Sequence, residues 1–456
     1  MRAWQAATAA MLLLAADAAA QMIGPGPGRQ ANLEAVKRWT EAQRKEAGET
    51  RRVWPGVVAD TAARSVTVVA EAVGLAAGGV VEFVLVGETS DKDYEALAVA
   101  LAQPSDVARA LEAAGLPRGL PVRPQAFRFW PRGERVTLAV RPFAGGPERP
   151  VGAYVHDQRA QGGMSNLFTY VGSVWREDGR CEADDVTPGS ILSTYNAPTT
   201  VLDMPFAATQ NAAYGRYVAK GTLLERETLW QFVFRPERPA DAPPLVAPVA
   251  LTALPRPGLE TPPAGLADVT WAWTVAGATR TNAFDAVAKA FMDLVAAARE
   301  PHVTVRFDDR LTVRAATEAA AVVLAIEGVN GVRLDGPPAG QLYLKAFLPQ
   351  QEWREREKRL LQPYELRLER EGAAGWRRTF VHIHEDWSDE ASLDPKLTVR
   401  PYPLQTWDDL AARVAEIGKG LGTLLVFAPA DAPLAAFMEG VRRVQETLPT
   451  VYVLAE

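Results

Sequence analysis

The chain has 456 residues, 48% of them hydrophobic and 23% charged, as in a soluble globular protein with room for roughly two to four domains. A formal net charge of −6 excludes the broad basic footprint of a nucleic-acid-binding protein, so no nucleic-acid partner is expected. A single cysteine, Cys181, excludes an intramolecular disulfide and leaves a tolerated thiol, a thiol that pairs two chains, or a redox thiol.

In chain order, the first feature is an export signature. Arg2 supplies a short basic region, Ala7–Ala15 an apolar core, and Ala18–Ala20 small residues ahead of Gln21. A signal peptide over residues 1–20, cleaved after Ala20, is expected, because the apolar run is well short of the roughly 20 residues that span a bilayer. No cysteine lies at the cleavage site to carry a lipid anchor and no later segment reads as a transmembrane helix, so the mature chain is expected to be soluble and periplasmic or otherwise extracytoplasmic. Residues 21–51 read as a leader with a short helix over Leu33–Lys45 capped by Asn32. GPGPG at Gly24–Gly28 lacks the strand and helix that flank a phosphate loop.

Strands are expected over Val53–Asp60 and Val66–Ala72. Val80–Val86 is a run of β-branched and apolar residues interrupted only by Glu82, which predicts a largely buried strand. The polar loop Gly87–Asp93 leads to a strand over Tyr94–Ala100. Pro104 and Ser105 open a helix with Asp106 in its first turn; Val107, Ala110, Leu111 and Ala114 form its apolar stripe, and Gly115 with Pro117 ends it. WPRG predicts a turn before the strand ERVTLAV, Gly145–Gln161 reads as loop, and Leu167–Trp175, Ser190–Tyr195 and Leu229–Phe234 as further strands. The segments VEFVLV, YEALAVALAQPSDVARALEAAGLPRG, FRFWPRGERVTLAV, FTYVGSVWREDGRCEADD and GSILSTYNAPTTVLDMP resemble the YdjY domain, a bacterial extracytoplasmic domain without an assigned activity. The resemblance covers residues 52–236 and implies a mixed β-sheet domain with few helices.

Pro236–Pro263 is dense in proline, which removes backbone donors, so residues 237–265 read as a semi-rigid linker whose island LVAPVALTAL docks on a neighbouring surface. Beyond it the order helix–strand–helix–strand occurs twice. The first copy is Phe284–Ala298, His302–Phe307, Ala315–Ile326 and Gly331–Leu334; the second is Trp407–Ile417, Thr423–Phe427, Pro433–Thr447 and Thr450–Leu454. Asn282 with Asp285, and Thr406 with Asp409, predict capping boxes. Between the copies, Leu342–Leu348 reads as a strand, Gln350–Leu361 as a charged helix, and Tyr364–Glu369 with Trp376–Glu385 as a hairpin. The segments AVAKAFMDLVAAAREPHVTVRFDDRLTVRAATEAAAVVLAIEGVNGVRL and TWDDLAARVAEIGKGLGTLLVFAPADAPLAAFMEGVRRVQETLPTVYVL resemble the periplasmic domain of the ExbD/TolR family. The resemblance implies two modules, over residues 266–336 and 337–456, each a β-sheet with helices on one face, and a homodimer-like pairing made within one chain. The family couples ion-motive force through an N-terminal membrane helix bearing a carboxylate. This chain departs from that plan, since its only strongly apolar N-terminal segment is the export signal. The fold class expected is thus multidomain α+β and α/β.

Candidate site residues follow from chemistry. Tyr195, Asn196 and Asp203 in STYNAPTTVLD lie in the second YdjY-like cluster and line either a ligand surface or an Asx-bonded turn. His382 and His384, at i and i+2, share one face of a strand and form either a zinc pair or two solvated imidazoles. Ser165, Ser173, Ser190 and Ser193 with His156 and Asp157 lack the G-x-S-x-G context of a hydrolase, and Asp308, Asp309 and Asp431 read as capping or loop carboxylates. No catalytic residue and no cofactor is expected. The first reading is a non-enzymatic envelope binding or scaffold protein, with an envelope protein or cell-wall component as partner. The alternatives are a soluble accessory subunit of an ExbD/TolR-type proton-driven complex and a metal- or redox-handling protein using the His382 segment or Cys181.

Overall fold

The computed structural model describes residues 27–325 (apart from 123–129, 207, 222–223 and 276), 332–335, 364–386 (apart from 373–374), 396–417, 423–444, 447–448 and 450–455. The export segment, Leu342–Leu348 and Gln350–Leu361 lie outside the described residues. The chain is a multidomain α+β protein with mixed sheets, divided into a unit that runs to Pro243 and one that starts at Pro244.

The first unit opens with helix α1, Arg29–Lys45. Asn32 lies inside it and does not cap it. Its Nδ2 donates to Glu71 Oε2 at 2.7 Å and to the Glu227 carbonyl at 2.8 Å, while Arg29 Nε donates to Glu71 Oε1 at 2.8 Å. A buried carboxylate must be paired, and that tertiary demand overrides the local capping preference. The strand expected over Val53–Asp60 is a hairpin, β1 (Arg51–Trp54) and β2 (Val57–Asp60). Gly56 makes its turn at φ +68°, and a Cβ there would lie 2.3 Å from the Leu101 carbonyl oxygen.

The remaining strands are β3 (Ser65–Ala72), β4 (Phe83–Val86), β5 (Ala96–Ala100), β6 (Arg135–Pro142), β7 (Arg149–Pro150), β8 (Val155–Asp157), β9 (Gly162–Gly163), β10 (Leu167–Tyr170), β11 (Ser190–Ser193), β12 (Leu202–Asp203), β13 (Tyr217–Ala219) and β14 (Leu229–Pro236). Gly145–Gln161, expected as loop, thus carries two short strands. The order β3-β14-β6-β10-β12-β11-β4-β5 returns to β3 through a β3–β5 pairing, so the sheet curls into a closed ring. Helix α2, Pro104–Ala113, lies against β1, β2 and β3 and also against β11. Pro104 starts it, and Gly115 at φ +87° ends it, with Leu116 N donating to Leu111 O at 3.1 Å and Gly115 N to Glu112 O at 2.9 Å. The sheet buries Val107, Ala108, Ala110 and Leu111, more than the single stripe the sequence suggests.

The second unit corrects the expected linker. Its strand β15, Val246–Pro255, is the middle strand of a five-stranded sheet. Ala247, Val249, Leu251 and Ala253 are buried while Pro248 and Ala250 are exposed, an alternation the prolines hide on reading. Pro248 is tolerated because pairing with the next strand starts at Val249, leaving β15 with one paired neighbour there. The first repeat continues with β16 (Val269–Val275), β17 (Ala278–Asn282), helix α4 (Phe284–Ala296), β18 (Glu300–Phe307), helix α5 (Val313–Ala325) and β19 (Arg333–Asp335); helix α3, Gln210–Ala213, belongs to the first unit. The second comprises β20 (Tyr364–Glu371), β21 (Gly375–Asp386), β22 (Lys396–Leu404), helix α6 (Trp407–Ile417), β23 (Thr423–Ala428), helix α7 (Ala435–Val444) and β24 (Thr450–Ala455). Sheet orders β17-β16-β15-β18-β19 and β22-β21-β20-β23-β24 are the same path with the same strand senses. The repeating unit is therefore three antiparallel strands followed by helix–strand–helix–strand, longer than the sequence repeat.

Caps distinguish the copies. Thr406 and Asp409 form the expected capping box, with Thr406 N donating to Asp409 Oδ2 at 2.7 Å and Asp409 N to Thr406 Oγ1 at 3.2 Å. Ala283, not Asn282, precedes α4, and Asn282 Oδ1 instead accepts from the Trp273 indole at 3.2 Å.

One hydrophobic core runs through both repeats, including Leu251, Phe291 and Val323 of the first and Leu366, Phe437 and Val453 of the second. The segment before α5 meets the segment before α7 in a reciprocal bridge centred on Thr312 and Pro433. Val313 N donates to Ala432 O and Leu434 N to Leu311 O; Arg314 N donates to Ala430 O and Ala435 N to Asp309 O, all at 2.8 Å. Each bond has its mirror, which is the signature of a two-fold relation.

Candidate functional site

The residues singled out in STYNAPTTVLD sit where β11 ends and β12 begins. Asp203 is fully buried, and its Oδ1 accepts from Asn196 Nδ2 and from Met204 N, both at 2.8 Å. Burial raises the Asp203 carboxyl well above the usual carboxylate range, outweighing those two hydrogen bonds, and among the described residues Oδ2 has no hydrogen-bond partner. Asn196 in turn accepts from Ala208 N at 2.5 Å through Oδ1 and donates its backbone N–H to Ala208 O at 2.8 Å. Asn196 and Asp203 therefore lock two loops together.

Tyr195, next to Asn196, is partly buried against Phe83 and its apolar neighbours. Its ring meets Phe83 edge-on, with centroids 5.7 Å apart. Burial, then the nearby Glu82, Glu95 and Asp203, push its hydroxyl up to about 12. Glu82 is buried at 5% exposure beside Glu95 and accepts from Gln210 Nε2 at 3.2 Å. Glu95 is raised by its own burial and then by the nearby Glu82 carboxyl. Glu82, Glu95 and Tyr195 thus form a largely buried acidic patch, suited to gripping a hydrogen-bonding group. Glu82 and Glu95 escaped the choice of site residues. The signal was present: Glu82 is the one charge in the apolar run from Val80 to Val86.

The chain matches no protein-family model, and no curated protein aligns with it significantly. The functional reading therefore rests on the chain's own residues.

The other candidates are dispersed. Ser173 donates to Thr199 O at 2.8 Å, the Ser190 and Thr200 hydroxyls bond at 2.9 Å, Ser165 accepts from Leu167 N and Ser193 from Tyr195 N, both at 3.2 Å. Asp157 is held by Arg216 (Oδ2 to Nη2 2.7 Å), whose hydrogen bonds keep its carboxyl below the usual range, while His156 is a strand residue paired with Gly163 and Val218. No serine–histidine pair is assembled from these residues. Asp308 is chelated by Arg310 at 2.8 and 2.9 Å and lowered by it, Asp309 is bound by Arg442 at 2.7 Å, and Asp431 pairs with Arg370. The His382 ring lies 5.3 Å from the Tyr364 ring and is tilted 30° to it; the side chain of His384, opposite Thr398 in the ladder, lies outside the described residues. Among the described residues, no three of His, Cys, Asp and Glu gather at metal-binding spacing.

Cys181 is 1% exposed, and burial raises its thiol. A thiol that is both covered and protonated is a poor nucleophile. Native protein is expected to react with a disulfide reagent such as dithionitrobenzoate about 100-fold more slowly than urea-unfolded protein, since reaction waits on local opening. Equal rates in the two states would restore a redox or chain-pairing role for this residue.

Proposed function

We propose that this is an exported, non-enzymatic binding or scaffold protein of the cell envelope, a YdjY-like unit followed by a fused pair of ExbD/TolR-like repeats. The observation that supports the reading is the reciprocal bridge at Thr312 and Pro433 with its common core, which pairs the two repeats within one chain. The serines and aspartates that a hydrolase would use are held in structural bonds, which supports binding over chemistry. Among the described residues no helix is long and apolar enough to cross a membrane. The Glu82–Glu95–Tyr195 patch supplies one gripping surface, and the envelope partner or cell-wall component would contribute hydrogen-bond donors to it.

The test is fractionation of cells that make the full chain, with N-terminal sequencing and light scattering of the product. The expected result is a soluble extracytoplasmic monomer that begins at Gln21. Protein retained in the cytosol with residues 1–20 intact, or a dimer formed through either repeat, would overturn the proposal. Stable co-purification with a proton-driven membrane complex would move the assignment to an accessory subunit of that complex.

A further inference from the structure

A second polar surface lies on the first unit, away from the residues discussed so far. Helix α1 covers the outer face of the sheet only in part. Val36 packs with Val69 and Leu101, and Trp39 meets Phe143 with centroids 6.2 Å apart. Beyond Trp39 the same sheet face is open, and a groove of about 370 Å³ remains between the helix and strands β1, β2, β3, β6 and β14. A sheet face beneath a helix is ordinarily apolar, yet three arginines, Arg51, Arg141 and Arg235, line this groove against one lining carboxylate, Asp60.

The arginines are incompletely neutralised. Glu148 serves two of them: it chelates Arg235 at 2.8 and 2.9 Å and reaches Arg141 at 3.4 Å. Arg141 also donates to Gln231 Oε1 at 2.8 Å, which fixes its plane against the sheet. Arg51 reaches Asp60 at 3.7 Å and Glu46 at 4.0 Å, both beyond hydrogen-bond length. The lining itself holds three guanidiniums and one carboxylate, Asp60, while Glu148 and Glu46 reach the arginines from outside it, on a chain whose net charge is −6. Guanidiniums in excess of carboxylates along a groove's lining favour an anion there. Guanidinium forks match the oxygens of a carboxylate or phosphate, and the Trp39 ring at the groove wall offers a flat apolar contact.

We propose that this groove binds a small molecule bearing a carboxylate or phosphate, its oxyanion on Arg51 and Arg141 and its ring against Trp39, with the size and shape of an acidic monosaccharide. The inference stands independently of export and of the paired repeats. It is tested by calorimetric titration of the full chain with glucuronate, glucose 6-phosphate, glucose and inorganic phosphate. Glucuronate or glucose 6-phosphate is expected to bind and to weaken as salt is raised, whereas glucose gives no heat. Arg51→Gln and Arg141→Gln are each expected to weaken binding at least tenfold, with Arg51→Lys intermediate. Trp39→Ala is expected to weaken the sugar acids more than inorganic phosphate. Glucuronate binding alone assigns a carboxylate ligand, and glucose 6-phosphate binding alone a phosphorylated one. Absence of binding by both sugar acids at millimolar concentration, or binding unchanged in Arg51→Gln and Arg141→Gln proteins that melt like the parent, would overturn it.

Discussion

Gly440→Leu is expected to cost about 3 kcal/mol or more, the upper part of the range for overfilling a packed core, and to unfold the second repeat first. Gly440 is buried in α7 with the Trp407 ring of α6 against its backbone, and a Cβ would lie 2.3 Å from Trp407 Cε3 and 2.5 Å from Cζ3. The indole has no easy retreat: it is nearly buried, and Arg378 stacks on it 4.4 Å from the ring centroid. Helix propensity alone would favour Ala over Gly by about 1 kcal/mol. The clash opposes that gain with a cost of about 1–3 kcal/mol, so even Gly440→Ala is expected to be net destabilising. Urea denaturation of the three proteins checks this, with hydrogen exchange to locate the opening. Gly440→Ala as stable as the parent would show that the α6–α7 contact can relax. Counting from the Thr312–Pro433 bridge, the first repeat places Ala319 where the second has Gly440, and its first helix opens on the smaller ring of Phe284. The copies thus distribute volume differently across corresponding positions.

The second large effect is on pH dependence. Asp203 is raised in the folded protein by burial, and the sign follows from that direction. Below the ordinary carboxylate range both folded and unfolded chains hold the proton, and the stability is complete. As pH rises through that range the unfolded chain releases its proton while the folded chain keeps it. Stability then falls by about 1.4 kcal/mol per pH unit until the native acid ionises. Asn cannot ionise, so Asp203→Asn is expected to remove this slope and to be relatively more stable at pH 7 than at pH 3. The amide preserves the oxygen that accepts from Asn196 and Met204; its extra N–H adds a cost of about 1 kcal/mol that does not vary with pH. Urea midpoints at several pH values between 3 and 7 read the slope directly. Parallel profiles for parent and variant would mean that Asp203 is not held neutral.

Local signals proved legible where local physics decides. Pro104 and Gly115 bracket α2 as their backbone preferences require, and Thr406 with Asp409 starts α6 as written. The central strand β15 was hidden because four buried residues alternate beneath a high density of prolines. The strand β22 was missed for a related reason, since Pro401 and Pro403 interrupt an exposed edge segment. Closure of the first sheet through β3 and β5 depends on pairing between distant residues, such as Ala70 with Ala100, which no short window contains. The site was half visible. Asn196 and Asp203 are close in sequence and were found together, but their role as a lock appears only once Ala208 and Met204 are placed beside them. Glu95 was invisible because its importance comes from Glu82, which it meets just ahead of the β4–β5 pair.

The bridge at Thr312 and Pro433 joins residues of one polypeptide, so mass action does not govern it: dilution cannot part the halves, and no foreign subunit can replace either. The ion pair between Asp309 and Arg442 shows what that permits, because its mirror positions hold Ala430 and Ala321, a one-sided charge arrangement that two identical chains could not adopt.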